Sequence, residues 1–347
     1  MTRHRVVWQV IAALAALIAM TSVEAAAARS VSDTVAVRAD TGYQRLVDAA
    51  NAVVGVEVKA IANARSNATL GDERTGSGVV IGKDGLVLTI GYLILEADTI
   101  EITDSDGQKV PASIVAYDHA TGFGLVKPIA ALSTRPIRIG SARSVSQLDR
   151  LMIVTGGEEQ TISVATVVSR RRFAGYWEYL IDDAIFTSPP RLDHSGAALI
   201  NKEGELVGIG SLFVLDALTP GERLPGNMFV PVDLLKPVLD EMLRTGGQKS
   251  THRPWLGVDS LEEDGRVKVM QVNDESPAAQ AGIVAGDIIL SINGELVSSL
   301  EHFYQALWTR GPAGVDVVLT VLHGPTARDV TVRSIDRLDF MRRRPGV

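Results

Sequence analysis

The sequence of 347 residues contains no cysteine, and aromatic side chains make up only 5% of it. The absence of cysteine excludes disulfide scaffolds, thiol catalysis, iron–sulfur clusters and cysteine-ligated zinc. Positive charge is also in short supply, because 34 lysines and arginines stand against 41 acidic residues. The net charge of −7 provides no global field that attracts nucleic acid. We therefore expect no nucleic-acid partner, no metal and no cofactor.

The one long apolar run lies at the start of the chain. Arg3 and Arg5 precede an apolar segment from Val6 to Met20, and small residues follow at Ala25 to Ala28. This order is typical of an export signal, which predicts a signal peptide over residues 1–28 and an exported protein. The alternative is an uncleaved anchor, since about 18 apolar residues form a marginal membrane span. The membrane is a partner only in that second case.

After a flexible segment at residues 29–42, helical spacing over Tyr43 to Ala52 is followed by many short β-branched runs. Runs of this kind, separated by Gly and Asp turns, predict an all-β barrel or sandwich. Arg170, Arg171 and Arg172 follow one predicted strand and are expected in a solvated loop. The predicted strands are Val53–Ala60, Gly78–Ile81, Leu86–Thr89, Thr99–Thr103, Ala112–Tyr117, Leu125–Pro128, Arg150–Val154, Thr161–Ser169, Ala198–Asn201 and Leu206–Ser211.

A helix is predicted over Asp233 to Arg244, with Asp233 as its N-cap and Gly246 as its stop. The polar segment Thr245 to Pro254 has no apolar period and is interpreted as a domain boundary. Beyond it, strands alternate with two short helical segments, which predicts a small α+β domain. The strands are Trp255–Asp259, Val267–Val272, Asp287–Ile292 and Val315–Leu322, and the helices are Pro277–Ala281 and Ser299–Thr309.

Three motifs of the first domain carry a family resemblance. They are G-S-G-V-V-I at residues 76–81 with D-G-L-V-L-T at 84–89, V-A-Y-D-H-A-T at 115–121, and H-S-G at 194–196. In this order and spacing they resemble the HtrA (DegP-like) family of periplasmic serine proteases. The resemblance implies a chymotrypsin-like double β-barrel over residues 43–247.

The second domain resembles an HtrA-type PDZ domain over residues 253–335, before a basic tail at 336–347. The motifs are W-L-G-V at 255–258, S-P-A-A at 276–279, A-G-I-V-A-G-D-I-I at 281–289 and I-N-G at 292–294. The resemblance implies that backbone N–H groups of one loop hold the carboxylate of a peptide C-terminus. The loop consists of Trp255, Leu256, Gly257 and Val258. An apolar face of Leu300, Phe303 and Leu307 either lines the pocket for the terminal side chain or packs in the core.

The catalytic positions implied by the resemblance are largely lost. Ser195 holds the nucleophile position, but Tyr92 stands at the base position and Gly122 at the carboxylate position. A serine hydroxyl needs a base, and that base needs a carboxylate to orient it. The oxyanion region, at Asp193 and Gly196, is also altered. The family has a glycine at the position of Asp193, and the Asp193 carboxylate would repel an oxyanion if it faced the site.

Two histidines remain as candidate replacement bases. His194 is adjacent to Ser195 in sequence, and neighbouring side chains point apart in extended backbone. His119 lies on a predicted turn beside Asp118. The simpler interpretation is a histidine exposed to solvent, and the alternative is a displaced general base for Ser195. Asp118 itself is expected to form the turn through an Asx contact.

These observations predict an inactive protease homologue that binds unfolded proteins or protein C-termini as a scaffold, holdase or regulator in envelope protein quality control. The alternative is an active serine endopeptidase that uses Ser195 with His119 as its base. The resemblance further implies a homotrimer, or a mixed trimer with an active relative.

Overall fold

The structure is a computed structural model that describes residues 42–246 and 252–342. The predicted export signal, and the flexible segment up to residue 41, lie outside the described residues. The middle of the predicted linker and the last five residues of the tail lie outside them as well. Within the two described ranges, no helix is long and apolar enough to cross a membrane.

Six strands close into a first antiparallel barrel, preceded by a helix, α1, at residues 42–51. They are β1 (Val53–Ala60), β2 (Glu73–Val80), β3 (Val87–Ile90), β4 (Ala97–Thr103), β5 (Lys109–Tyr117) and β6 (Phe123–Pro128), and a short helix, α2 (Asn67–Leu70), lies between β1 and β2. β-branched residues dominate β1, and most of its side chains are buried, as suits a strand inside a barrel wall. The order around the barrel is β1-β2-β3-β6-β5-β4, and β4 pairs back to β1.

Seven strands form the second barrel. They are β7 (Arg138–Ile139), β8 (Arg150–Thr155), β9 (Thr161–Gly175), β10 (Tyr179–Ser188), β11 (Ala198–Ile200), β12 (Glu205–Val214) and β13 (Gly226–Pro231). Pairing of β11 with β12 closes the ring, and β7 adds in parallel to β12. Ile90 and Phe123 of the first barrel share one buried core with Phe186 and Ile200 of the second. The prediction of a double β-barrel is therefore confirmed.

The second domain is a five-stranded sheet with a short extra strand and two helices. The elements are β14 (Val258–Glu263), β15 (Arg266–Val272), α4 (Pro277–Gln280), β16 (Ile288–Ile292), β17 (Glu295–Leu296), α5 (Leu300–Trp308), β18 (Asp316–His323) and β19 (Thr326–Arg333). Burial alternates along β18, which buries one face of the sheet. The Ser299 hydroxyl caps α5 by accepting the His302 N–H at 3.0 Å. Leu300, Phe303 and Leu307 are buried in a cluster against which Ala174 and Leu180 of the first domain also pack.

Two local predictions about the first domain were wrong. The helix expected from Asp233 starts later, as α3 (Leu239–Thr245), although Gly246 ends it as predicted. Asp233 instead accepts the Ser141 hydroxyl at 2.8 Å and the Ala142 N–H at 2.5 Å. The three arginines expected in a loop lie within β9, where Asp182 and Asp183 of the paired strand form ion pairs with two of them.

The segment predicted as a basic tail begins with a packed helix, α6 (Arg337–Phe340). The Phe340 ring lies 4.6 Å from the Trp255 ring, and the Arg65 guanidinium lies 4.0 Å from the Phe340 ring centre. The Arg342 N–H donates to Glu96 of the first domain at 2.7 Å. The start of the tail therefore bridges the two domains.

Candidate functional site

Ser195 lies on the loop between β10 and β11, where contacts with both barrels hold it. Its carbonyl oxygen accepts the Ser77 N–H of β2 at 2.8 Å, and the Gly196 N–H donates to the Gly210 carbonyl of β12 at 2.8 Å. Gly196 has a φ of 73°, and a Cβ there would lie 1.9 Å from the Ser77 carbonyl oxygen. Only glycine permits this close approach, so the H-S-G motif places Ser195 at the junction of the barrels.

Tyr92 is brought to Ser195 by a 3₁₀ turn, Gly91–Leu93, directly after β3. Its phenol oxygen lies 2.7 Å from the Ser195 Oγ and 2.8 Å from the Ser211 carbonyl oxygen. A carbonyl only accepts hydrogen bonds, so when the single phenol proton goes to Ser211 the Ser195 hydroxyl donates to Tyr92. Tyr92 thus occupies the base position and makes the hydrogen bond of a base.

The protonation state of Tyr92 prevents it from acting as one. Burial raises the pKa of Tyr92 to about 12, although the hydrogen bond with Ser195 acts in the opposite direction. The phenol is therefore neutral at physiological pH. A neutral phenol oxygen is too weakly basic to take a proton from serine. The contact with Tyr92 therefore holds the Ser195 hydroxyl in place.

Replacement of Tyr92 by phenylalanine is expected to lower the free energy of unfolding by about 1–2 kcal/mol, because two buried polar partners lose their hydrogen bond. Ser195→Ala is the matched control. It removes the hydrogen bond between Ser195 and Tyr92 but keeps the one from Tyr92 to the Ser211 carbonyl, so it should lower the free energy of unfolding by less. Urea unfolding of both variants and of the double variant measures the difference. A larger loss for Ser195→Ala than for Tyr92→Phe would contradict this account.

The carboxylate position is physically filled by another residue. Gly122 has a φ of 78°, and a Cβ on it would lie 2.7 Å from the Tyr179 hydroxyl oxygen. That hydroxyl donates to the Thr121 carbonyl at 2.8 Å, and Tyr179 is 4% exposed. Burial raises the pKa of Tyr179 well above its ordinary value, so this phenol is neutral as well. Sequence reasoning missed Tyr179, whose hydroxyl fills the space that a side chain at Gly122 would need.

Asp193 does not carry an unbalanced charge toward the serine. Its carboxylate accepts from the Arg191 guanidinium at 2.8 and 2.5 Å. Burial pushes the pKa of Asp193 upward, but the hydrogen bond and charge of Arg191 outweigh it, so the pKa lies below its usual value. His194 is half-buried, and its Nδ1 lies 3.1 Å from the Arg191 carbonyl oxygen. Both side chains therefore have Arg191 as a hydrogen-bond partner.

His119 lies against the C-terminal helix. Its Nδ1 is 3.3 Å from the Tyr117 hydroxyl and 3.4 Å from the Arg337 guanidinium. Burial, together with the charges of Arg337 and Arg253, lowers the pKa of His119 well below its ordinary value. The histidine is half-buried against Tyr117 and Arg337, whereas the simpler of the two predictions placed it in solvent. Asp118 forms the expected turn by accepting the Thr121 N–H at 3.0 Å.

The predicted carboxylate-binding loop of the second domain holds a carboxylate of the first domain. The N–H groups of Leu256, Gly257 and Val258 lie 3.1, 2.7 and 3.2 Å from the Glu178 Oε1. Gly257 has a φ of 85°, and a Cβ there would lie 2.3 Å from the Ser276 Cβ. The Trp255 N–H, also predicted for this loop, donates instead to the Ile335 carbonyl at 2.9 Å. The N–H groups of residues 256–258 thus surround the Glu178 carboxylate, and we call these three residues the cradle.

A cleft of about 760 Å³ lies beside Ser195 and between the domains. Tyr92, Trp177 and Tyr179 line it from the first domain, and Asn273 and Phe340 line it from the C-terminal side. Its lining combines these aromatic rings with many polar and charged side chains, among them Arg65, Asp259 and Arg337.

The comparisons with known proteins agree with this architecture. The trypsin-like peptidase domain model matches residues 76–209, and the PDZ domain model matches residues 254–333. The serine endoprotease DegS of Haemophilus influenzae is 31% identical over 288 residues, which cover 79% of this chain and 81% of that protein. This chain belongs to the HtrA family. DegS of Escherichia coli is 30% identical over 294 residues, covering 78% of this chain and 79% of that protein.

Other members of the HtrA family extend the comparison. A probable periplasmic DegP-like endoprotease of Pseudomonas fluorescens is 27% identical, and the match covers 70% of this chain but only 53% of that protein. The solved serine endoprotease of Yersinia pestis is 25% identical, with a TM-score of 0.52 over 85% of this chain and 97% of that one. The HtrA-type protease AlgW with a decapeptide shares the fold at 20% identity, with a TM-score of 0.52 over 88% of this chain and 99% of that one.

Proposed function

We propose that this chain is an exported, periplasmic member of the HtrA family that binds unfolded proteins or protein C-termini and does not cleave them. Its role is that of a scaffold, holdase or regulator in envelope protein quality control. The observation that carries the proposal is the 2.7 Å contact between the Ser195 Oγ and the Tyr92 hydroxyl, a group with a pKa of about 12. A serine whose partner is a neutral phenol has no base.

Two further observations support the binding part of the proposal. The cradle of three N–H groups binds a carboxylate within this structure, which is the chemistry that capture of a protein C-terminus requires. The relatives named above include one described as periplasmic, in line with the apolar segment at the start of this chain.

The rival proposal of an active endopeptidase draws no support from His119. The imidazole contacts Tyr117 and Arg337, whereas the hydroxyl of Ser195 contacts Tyr92. A general base has to lie within hydrogen-bond reach of the proton that it removes. A trimer, alone or with an active relative, stays a prediction from the family resemblance.

Labelling with a fluorophosphonate probe, which reacts with activated serines, tests the proposal. We expect no label on Ser195, while fluorescent unfolded casein co-elutes intact with the chain on size exclusion. Ser195→Ala and His119→Ala should both behave like the unchanged chain. Label that disappears in Ser195→Ala would overturn the inactive assignment, and casein that elutes alone would overturn the binding role. The DegP-like protease of Pseudomonas fluorescens serves as the positive control.

A further inference from the structure

The β9–β10 hairpin of the first domain reaches into the second domain. Its strands pair up to Gly175 and Tyr179, which leaves a three-residue loop at 176–178. Ala174 and Leu180, on the two sides of this loop, pack against the core of the second domain. Farther along β9, Arg172 forms an ion pair with Glu301 of α5. The hairpin is therefore held along its sides as well as at its tip.

The tip is bonded as an added peptide strand would be. The Ser260 N–H of β14 donates to the Tyr176 carbonyl at 2.8 Å. The Tyr304 hydroxyl of α5 donates to the Gly175 carbonyl at 2.7 Å and accepts the Glu178 N–H at 3.1 Å. A PDZ ligand lies between a sheet edge and a helix, and these contacts place the hairpin tip between β14 and α5.

Glu178 supplies the group that a peptide would supply with its C-terminus. Glu178 is 2% exposed, and its carboxylate accepts hydrogen bonds from all three N–H groups of the cradle. Burial raises the pKa of Glu178 to about 7, and the three N–H groups of the cradle act in the opposite direction because they favour the ionised carboxylate. The cradle is occupied, and the occupant belongs to the same chain.

The backbone conformation of Glu178 indicates that contacts of its side chain keep this residue in the cradle. Glu178 has a φ of 58°, in the left-handed region, at the last position of a three-residue hairpin loop. Glycine and asparagine are the residues that favour this position. Glutamate has no local advantage here, so the contacts of its carboxylate with the cradle compensate for an unfavourable backbone conformation.

We propose that Glu178 is an internal ligand of the PDZ groove, and that a protein C-terminus enters only by displacing the Glu178 carboxylate from the cradle. The inference rests on the proposed binding of protein C-termini. The two carboxylates require the same three donors and exclude each other.

Fluorescence anisotropy on the full chain tests the competition. The probes are a fluorescein-labelled, alanine-rich decapeptide that ends in valine with a free carboxylate, and the same peptide with a C-terminal amide. Glu178→Ala is expected to bind the free-carboxylate peptide at least about tenfold more tightly, because apparent affinity falls with the fraction of open groove. The amide should bind weakly to every variant. Equal affinity of the unchanged chain and Glu178→Ala would overturn the inference.

Asp183→Asn is the matched control, since Asp183 lies on the same hairpin with a φ of 55° and pairs with Arg170 of the same domain. It should leave peptide affinity unchanged. Glu178→Gln provides a second variant if the alanine variant folds poorly, and it should bind peptide with intermediate affinity because it keeps one acceptor oxygen and loses the charge.

Hydrogen exchange separates this inference from the proposed function. In Glu178→Ala, without peptide, the amides of residues 256–258 and of the hairpin at 173–180 should exchange at least about tenfold faster, since their shared contacts are lost. Unchanged exchange would overturn the inference. Faster exchange without peptide binding by any variant would overturn the capture of C-termini and still support Glu178 as the occupant.

Discussion

Casein cleavage by the purified chain is expected to be about 10⁴- to 10⁶-fold slower than cleavage by the DegP-like protease of Pseudomonas fluorescens, and equal to that of Ser195→Ala. Loss of the base alone costs a serine protease about as much as loss of the whole triad. Here the base position holds a phenol with a pKa of about 12, and the carboxylate position holds Gly122 with Tyr179 against it. Release of fluorescent peptides from labelled casein measures the rate.

The variant Tyr92→His sharpens this first prediction. It restores an imidazole at the base position, yet no carboxylate is present to set its tautomer, and that loss alone costs about 10⁴-fold. We therefore expect Tyr92→His to stay about 10⁴-fold below a family-like rate. Casein cleavage that depends on Ser195 in the unchanged chain would contradict the account, as would recovery of a family-like rate in Tyr92→His.

The second large effect is expected for Gly122→Asp, the substitution that would restore the third catalytic position. It should lower the free energy of unfolding by about 2–5 kcal/mol, because left-handed backbone strain adds to overpacking. The strain follows from a φ of 78°, and the overpacking from a Cβ only 2.7 Å from the Tyr179 hydroxyl oxygen. The structure thus opposes a simple return to a complete triad.

Gly85→Asp is the matched control for this substitution. Gly85 has a φ of 80°, but an added Cβ would meet nothing within 4 Å, so only the backbone strain is present. The difference between the two variants in chemical denaturation isolates the collision with Tyr179. Adding Tyr179→Ala to Gly122→Asp should recover part of the loss as a positive coupling. Equal destabilisation at Gly85 and Gly122 would show that Tyr179 does not obstruct the position.

The local sequence predicted the bounds of some helices and strands correctly and those of others wrongly. Strand β1 has the bounds that its β-branched run predicts, and α3 ends at Gly246 because glycine adopts the left-handed C-cap. The start of α3 was wrong because Asp233 contacts Ser141, 92 residues away, instead of capping the helix. The arginines of β9 were placed in a loop because their partners across the strand pair are not visible in a local pattern.

In the candidate site, too, some residues were found from local motifs and others only from the structure. The motifs located Ser195, Tyr92 and Gly122, and the glycines that they contain are required where backbone approaches within van der Waals distance, as at Gly196. Nothing in the local sequence indicated Tyr179, Glu178 or Tyr304. Their roles arise from a hairpin that crosses between domains.

Residue identity at a motif position is a local property, so the sequence predicted the HtrA family, which the comparisons confirm, and it predicted the loss of the base and carboxylate positions. The tertiary structure alone decided what replaces them. Tyr92 and Ser195 are 103 residues apart, and Glu178 and Gly257 are 79 apart. Packing of these distant segments buries the Tyr92 phenol, which raises its pKa to about 12, and it buries Glu178 against the cradle.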